Sequence, residues 1–95
     1  MPDGASWVLI KGAGVAVQGR CLLLGVLFWP DANEDYVDLY DGLDATAGKK
    51  FCRFETSVSV TWCHCFSHGV EFASGIYVDG IDDAVEATII FRPLD

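Results

Sequence analysis

Apolar and polar residues alternate along most of this chain with the two-residue period of β-strands. In the segment Ser57–Phe66, one side of an extended chain carries Val58, Val60, Trp62, His64 and Phe66, and the other carries Ser57, Ser59, Thr61, Cys63 and Cys65. The segment Ala84–Arg92 alternates in the same way: Val85, Ala87, Ile89 and Phe91 on the core side, Glu86, Thr88, Ile90 and Arg92 on the outer side. No window of eleven residues carries an unbroken helical stripe of apolar positions.

Turn-forming residues divide the chain into short strands at nearly regular spacing. The predicted strands are Trp7–Lys11, Val15–Val17, Arg20–Trp29, Glu34–Asp41, Phe51–Glu55, Ser57–Phe66, Val70–Ala73, Ile76–Val78 and Ala84–Arg92. This pattern predicts an all-β fold, an antiparallel β-sandwich or small barrel of about seven or eight short strands. We expect one domain over residues 1–95, with residues 1–6 as a flexible or partner-binding arm.

Two segments carry more specific expectations. Arg20–Trp29 is continuously apolar, as in a central strand, and Gly25 in its middle indicates a bulge. The acidic stretch that includes Glu34–Asp41 is interpreted as a solvated edge strand with its turns, because charges on an edge oppose sheet-to-sheet aggregation. Its six acids are Asp31, Glu34, Asp35, Asp38, Asp41 and Asp44.

Composition narrows the classes of function. The 95 residues are 52% apolar, more than so small a domain is expected to hide, which indicates a surface covered by a partner or by copies of the chain, with a tightly packed monomer as the alternative. The net charge of −8 disfavours binding to nucleic acid or anionic lipid. The start of the chain lacks signal-peptide features, and the longest apolar run, Cys21–Trp29, is too short to span a membrane. We therefore expect synthesis in the cytoplasm and four reduced thiols.

The cysteines and histidines near residue 65 raise the question of a metal site or a reactive thiol. Cys63, Cys65 and His68, with Cys21 or Cys52 from elsewhere, are the candidate zinc ligands. Strand alternation opposes such a site because it turns His64 away from the two neighbouring cysteines, and buried free thiols are the commoner fate. Nothing in the sequence marks a catalytic constellation. We expect neither an enzyme nor a bound cofactor or metal.

Several aromatic residues are candidates for a binding interface. Trp7 lies near the N-terminus and Trp29 at a strand end before Pro30, and tryptophan is enriched at binding hot spots. Tyr36 and Tyr40 share the side of their strand opposite the predicted core positions. Peripheral core packing is the alternative for the two tryptophans. Trp62, on the apolar side of its strand, is predicted to lie in the core.

The order of several short motifs resembles a group of small phage structural proteins. After the apolar strand Leu22–Trp29 comes Tyr36–Gly42, which ends in Leu39-Tyr40-Asp41-Gly42; a glycine-led strand Gly75–Val78 and a final strand Glu86–Arg92 follow. The resemblance spans Trp7 to Arg92, and the cysteine-rich segment Trp62–Phe66 departs from it. It implies a β-sandwich in the virion that decorates or cements the capsid, with the major capsid protein or another virion protein as partner. It also implies homo-oligomers, with a trimer favoured.

Other functions remain open at this point. The resemblance also fits a small tail or neck accessory. Exposed aromatics such as Trp29, Tyr36 and Tyr40 would suit a carbohydrate-binding part of a receptor-binding fibre. A protein of a different class, a cytosolic zinc or thiol module, would use the segment Cys63–His68.

Overall fold

The computed structural model describes residues 5–29, 36–55, 62–79 and 86–94 and contains eight β-strands. They are β1 (Ser6–Ile10), β2 (Gly14–Gln18), β3 (Cys21–Trp29), β4 (Tyr36–Asp41), β5 (Lys49–Glu55), β6 (Trp62–Phe72), β7 (Gly75–Asp79) and β8 (Glu86–Pro93). They form two antiparallel four-stranded sheets. Sheet I has the order β1-β8-β3-β6, and sheet II has the order β2-β7-β4-β5. The predicted all-β antiparallel fold is confirmed, and its two separate sheets are those of a small β-sandwich.

The core lies between the inner faces of the two sheets. Its fully buried side chains come from alternate positions of the central strands, with Phe72 added from the edge strand β6; they include Leu23, Val26, Phe28, Val37, Leu39, Phe72, Ile76, Val78 and Ile89. Alternation therefore defines the inner face of β4 and β8 as the sequence predicted. Phe91 is partly buried against this core, and Val85 lies outside the described residues.

Strand β3 is central in sheet I, between β8 and β6, which explains its continuous apolar character. The expected bulge is present, because the register of β3 shifts between Leu23 and Gly25 against both neighbours. An ideal Cβ on Gly25 would lie 3.3 Å from the carbonyl oxygen of His64, so the residue also permits a close backbone approach.

The strand predictions around β6 need correction. Ser57–Phe66 and Val70–Ala73 were expected as separate strands, but β6 runs without a break from Trp62 to Phe72. The chain bulges between Cys65 and Val70, where Gly69 adopts a φ of +78°. The glycine thus bends one strand instead of ending it. Residues 56–61 lie outside the described residues.

Two other boundaries differ from the prediction. Ser6, assigned to the N-terminal arm, pairs with Phe91 as the first residue of β1. Lys49 and Lys50, which precede the predicted strand Phe51–Glu55, open β5 opposite Asp41 and Tyr40. In both cases pairing with an existing strand extends the element beyond its apolar residues.

Candidate functional site

The outer side of sheet I is an apolar surface, here called the sheet I face. Its side chains alternate with the inward residues of the same strands, so they point away from the core. Its members include Trp7 and Leu9 of β1, Thr88 and Ile90 of β8, Leu22, Leu27 and Trp29 of β3, and Cys63 and Cys65 of β6. Trp7 is 70% exposed and Leu9 37% exposed, and both project from the same side of β1.

Within the described part of sheet I, charged residues occur only at the two ends of this surface: Lys11 and Glu86 at one end, and Arg20, Glu71 and Arg92, which pairs with Leu22, at the other. At one end the Lys11 ammonium lies 3.8 Å from the Glu86 carboxylate. At the other end Arg20 Nε donates to Glu71 at 2.6 Å, and Glu71 pairs across the sheet with Leu22. The sheet I face is thus an uncharged surface with a polar rim, the usual anatomy of a protein interface.

The outer side of sheet II has a different chemistry and is here called the sheet II face. It carries all three tyrosines of the chain, Tyr36, Tyr40 and Tyr77. The guanidinium carbon of Arg53 lies 3.9 Å from the centre of the Tyr36 ring. Tyr40 and Tyr77 pack edge to face with centroids 6.3 Å apart. All three tyrosines are half-buried, and their rings contact Arg53 or one another. The sheet II face is therefore a polar surface that does not present open aromatic rings.

Asp38 is the electrostatic centre of the sheet II face. Arg53 donates to both of its carboxylate oxygens at 2.8 and 3.1 Å, and Lys50 lies 3.5 Å away. The prediction of a solvated edge strand here is wrong, because β4 lies between β7 and β5 and Asp38 is only 4% exposed. Lys50 and Arg53 of the neighbouring strand β5 neutralise the Asp38 carboxylate, which the acidic sequence around it predicts to be exposed to solvent. Asp31, Glu34 and Asp35 lie outside the described residues.

The fold separates the residues predicted as one interface. Trp7 and Trp29 belong to the sheet I face, whereas Tyr36 and Tyr40 belong to the sheet II face. The two pairs therefore cannot contact one flat partner together. Pro30 lies outside the described residues, and the side chain of Trp62 is not among those described. Leu9 and Ile90, which the sequence analysis did not single out for binding, could have been found from alternation with Val8 and Ile89.

The candidate metal ligands are distributed over the fold. Cys63 and Cys65 are exposed on the sheet I face, and His68 is exposed further along β6. His64 turns the opposite way, with its ring centre 4.8 Å from that of Phe66 and 6.0 Å from that of Phe54. In the part of the chain that the structure describes, no three His, Cys, Asp or Glu side chains come together as metal ligands. All four thiols are free.

The other two thiols are inside the fold or near its edge. Cys21 is fully buried on the inner side of β3, and Cys52 is half-buried on β5. Burial raises the pKa of the Cys21 thiol, and the nearby Asp41 carboxylate adds to the rise. Burial likewise raises the pKa of Cys52, with a further contribution from Asp38. Both shifts lower the fraction of thiolate at neutral pH, and the thiolate is the nucleophilic form.

A cavity of about 260 Å³ opens beside β5 and β6. Its walls are Asp41, Lys49, Lys50, Phe51, Glu71 and Phe72. Of these charged groups, Lys50 is paired with Asp38 and Glu71 with Arg20. The cavity is smaller than usual ligand pockets of about 300–1,000 Å³. Its Lys50 and Glu71 side chains are already engaged in ion pairs with other residues of the sandwich.

The end of the Leu39–Gly42 motif and the start of the glycine-led segment Gly75–Val78 meet at one corner of the sandwich. Both carboxylate oxygens of Asp41 accept backbone N–H bonds, from Ala73 at 3.0 Å and from Ser74 at 2.9 Å. Gly42 N donates to the carbonyl oxygen of Gly75 at 3.2 Å. The Asp41-Gly42 turn and the glycine-led strand β7 are therefore two halves of one structural junction, which explains their joint presence in the sequence.

Replacing Asp41 with alanine is expected to lower the free energy of unfolding by about 2–3 kcal/mol, because two N–H groups lose a charged acceptor. Glu86→Ala is the control; it removes an exposed ion pair and should cost under about 0.5 kcal/mol. Urea unfolding of both variants measures the difference. Equal midpoints would show that the junction does not stabilise the fold.

The described residues contain no helix long and apolar enough to cross a membrane. In comparisons with known proteins, no family, curated protein or solved structure matches this chain.

Proposed function

We propose that this chain is a non-enzymatic structural protein of a phage virion that decorates or cements the capsid surface. The observation that carries the proposal is the sheet I face. An uncharged apolar sheet surface with a 70% exposed tryptophan is costly to leave in water, and assembly with another protein surface removes that cost.

The two faces give one copy two surfaces for different partners. The sheet I face suits a dry apolar contact, and the sheet II face offers tyrosines and an Arg–Asp pair that suit a wetter, polar contact. A decoration protein needs such a pair of surfaces, one toward the shell and one toward its own copies, and repeated weak contacts then add through avidity.

The location in a virion is proposed from the resemblance to small phage structural proteins. Its two most recognisable motifs, Leu39–Gly42 and Gly75–Val78, hold one corner of the sandwich together through Asp41 and the Gly42–Gly75 hydrogen bond. These motifs support a shared scaffold. The location on the capsid follows from the resemblance alone, and a tail or neck accessory is the alternative that the same scaffold serves.

No described feature favours the other candidates. A zinc or thiol module would need ligands that converge with Cys63 and Cys65, and His64 points to the other side of β6. A glycan-binding face would need open aromatic rings, and Arg53 covers the ring of Tyr36.

Reconstitution on particles tests the proposal. Particles are made from a genome in which the gene for this chain is disrupted, purified chain is added, and the protein that sediments with them is quantified. We expect saturable binding and a higher temperature of particle disruption, whereas an unrelated acidic protein of similar size stays in the supernatant. Failure of the purified, folded chain to bind at any concentration would overturn the proposal.

A further inference from the structure

The two exposed thiols of the chain lie on one side of one strand. Cys63 and Cys65 are two residues apart on β6, where they pair with Leu27 and Gly25 of β3. The register between these two pairs is continuous, because the bulge in β6 comes only after Cys65. Regular alternation therefore projects both thiols from the outer side of sheet I.

The spacing of the two side chains suits a bridge through one metal ion. A strand rises about 3.3 Å per residue, so the Cβ atoms of Cys63 and Cys65 lie about 6.6 Å apart. A disulfide requires Cβ atoms about 3.8 Å apart, which a regular strand does not allow. Two metal–thiolate bonds of about 2.3 Å in line hold their sulfur atoms about 4.6 Å apart. The two side chains reach that separation when they lean toward each other along the strand.

The thiols are accessible from solvent. Strand β6 is the last strand of sheet I, so no described strand lies beside the thiols on the side away from β3. On the side of β3, Gly25 has no side chain, and even a Cβ there would lie 3.7 Å from Cys65 Sγ, an ordinary contact distance. An ion can therefore reach both sulfur atoms without any movement of the core.

The donor set indicates which ion the pair binds. His64, between the two cysteines, turns to the other side of β6, with its ring centre 4.8 Å from that of Phe66. Within the described residues no third His, Cys, Asp or Glu side chain joins the thiols. Protein-bound zinc in structural sites almost always has four ligands. Cu(I) is a soft ion that thiolates select, and two thiolates in line satisfy its coordination.

We propose that Cys63 and Cys65 together bind one Cu(I) ion as a two-coordinate dithiolate on the outer side of sheet I. Two thiols and one Cu⁺ give the anion RS–Cu–SR⁻ and two released protons, and the copper keeps its oxidation state. The site differs from the candidate zinc site, because it uses neither His68 nor a cysteine from another strand. It is independent of the virion function proposed above.

Competition for Cu(I) tests the site. The purified chain is added, without oxygen, to the coloured Cu(I) complex of bicinchoninate, and the loss of colour measures transfer of the ion to the protein. Wild type should take up one Cu(I) per chain. Zinc chloride, followed with a zinc indicator, should bind at least about 100-fold more weakly. X-ray absorption at the copper edge should show two sulfur neighbours.

Matched variants locate the ion. Cys63→Ser and Cys65→Ser should each weaken Cu(I) binding by at least about 100-fold, since loss of a ligand's supporting partner alone costs about 10–100-fold. Cys52→Ser, which removes the half-buried thiol of β5, should bind as wild type does. His64→Cys combined with Cys65→Ser keeps two thiols in the segment but turns one to the other side of β6, and it should bind as weakly as Cys65→Ser.

Circular dichroism checks that each variant is folded, and alanine replaces serine in a variant that is not. Failure of wild type to take Cu(I) from bicinchoninate, or tight binding by the double variant, would overturn the site. Half an equivalent of Cu(I) per chain with a doubled mass in sedimentation would also overturn it, because two chains would then share one ion. A chain that binds Cu(I) but no particles would overturn the virion function alone.

Discussion

Gly75→Ala is expected to remove most of the folding stability of this protein. Gly75 opens β7 with a φ of +141°, a conformation that side-chain-bearing residues rarely adopt. A Cβ at this position would lie far closer to the Val17 carbonyl oxygen than van der Waals contact allows, and 3.3 Å from the Gly19 nitrogen. Both contacts are with backbone atoms, one in β2 and one in the turn that follows it, so no side-chain rotation relieves them.

The expected cost is about 4 kcal/mol, the sum of backbone strain and overpacking. For a domain of this size it corresponds to a melting temperature lower by about 20 °C. Gly14→Ala is the matched control, because a Cβ on Gly14 meets nothing within 4 Å, and its melting temperature should change by under about 3 °C. Differential scanning calorimetry measures both variants. Similar melting temperatures for the two would contradict the close approach at the corner.

Phe28→Ala is expected to have an effect of the same size by a different route. Phe28 is completely buried on the inner side of β3, a central strand of sheet I, and its side chain belongs to the core between the two sheets. Truncation removes its apolar contacts and leaves a cavity, at a cost of about 4 kcal/mol.

The control for this substitution is another phenylalanine of the same sandwich. Phe51 is 36% exposed at the edge strand β5 and packs edge to face against Phe66 and Phe72. Phe51→Ala should cost less than half as much, because water already contacts part of the ring. Chemical denaturation with a fixed m-value separates the two, and an equal loss of stability would mean that the core is not where the structure places it.

The sequence predicts the fold well where neighbouring residues decide it. Alternation identifies Val37 and Leu39 as the inner residues of β4, and the apolar run with a central glycine identifies β3 as a bulged central strand. These features depend on the local backbone and on burial, and both leave a pattern with a period of two.

What the sequence does not predict depends on which strands become neighbours. Asp38 is acidic and lies in an acidic segment, so it was placed on an edge, but β5 brings Arg53 and Lys50 against it and makes it an interior part of sheet II. Similarly, tryptophans and tyrosines chosen for one interface lie on opposite faces, because β1 and β4 belong to different sheets. Strand order is a long-range property, and no local pattern encodes it.

The candidate site likewise has some features that the local sequence predicts and others that depend on which strands are neighbours. Trp7 as a contact residue follows from its size and chemistry, and the opposite directions of Cys63 and His64 follow from alternation. The sheet I face, by contrast, exists only because Trp7 of β1, Ile90 of β8 and Cys65 of β6 align in one register row across the sheet.

The most direct test of an assembly function is the number of copies of this chain per major capsid protein in purified particles, measured by quantitative mass spectrometry. The account predicts a ratio of about one, or a simple fraction such as about one third, because a decoration protein repeats with the symmetry of the shell. Only a few dozen copies per particle would move the protein to the tail or neck. Its complete absence from the particles would contradict the account.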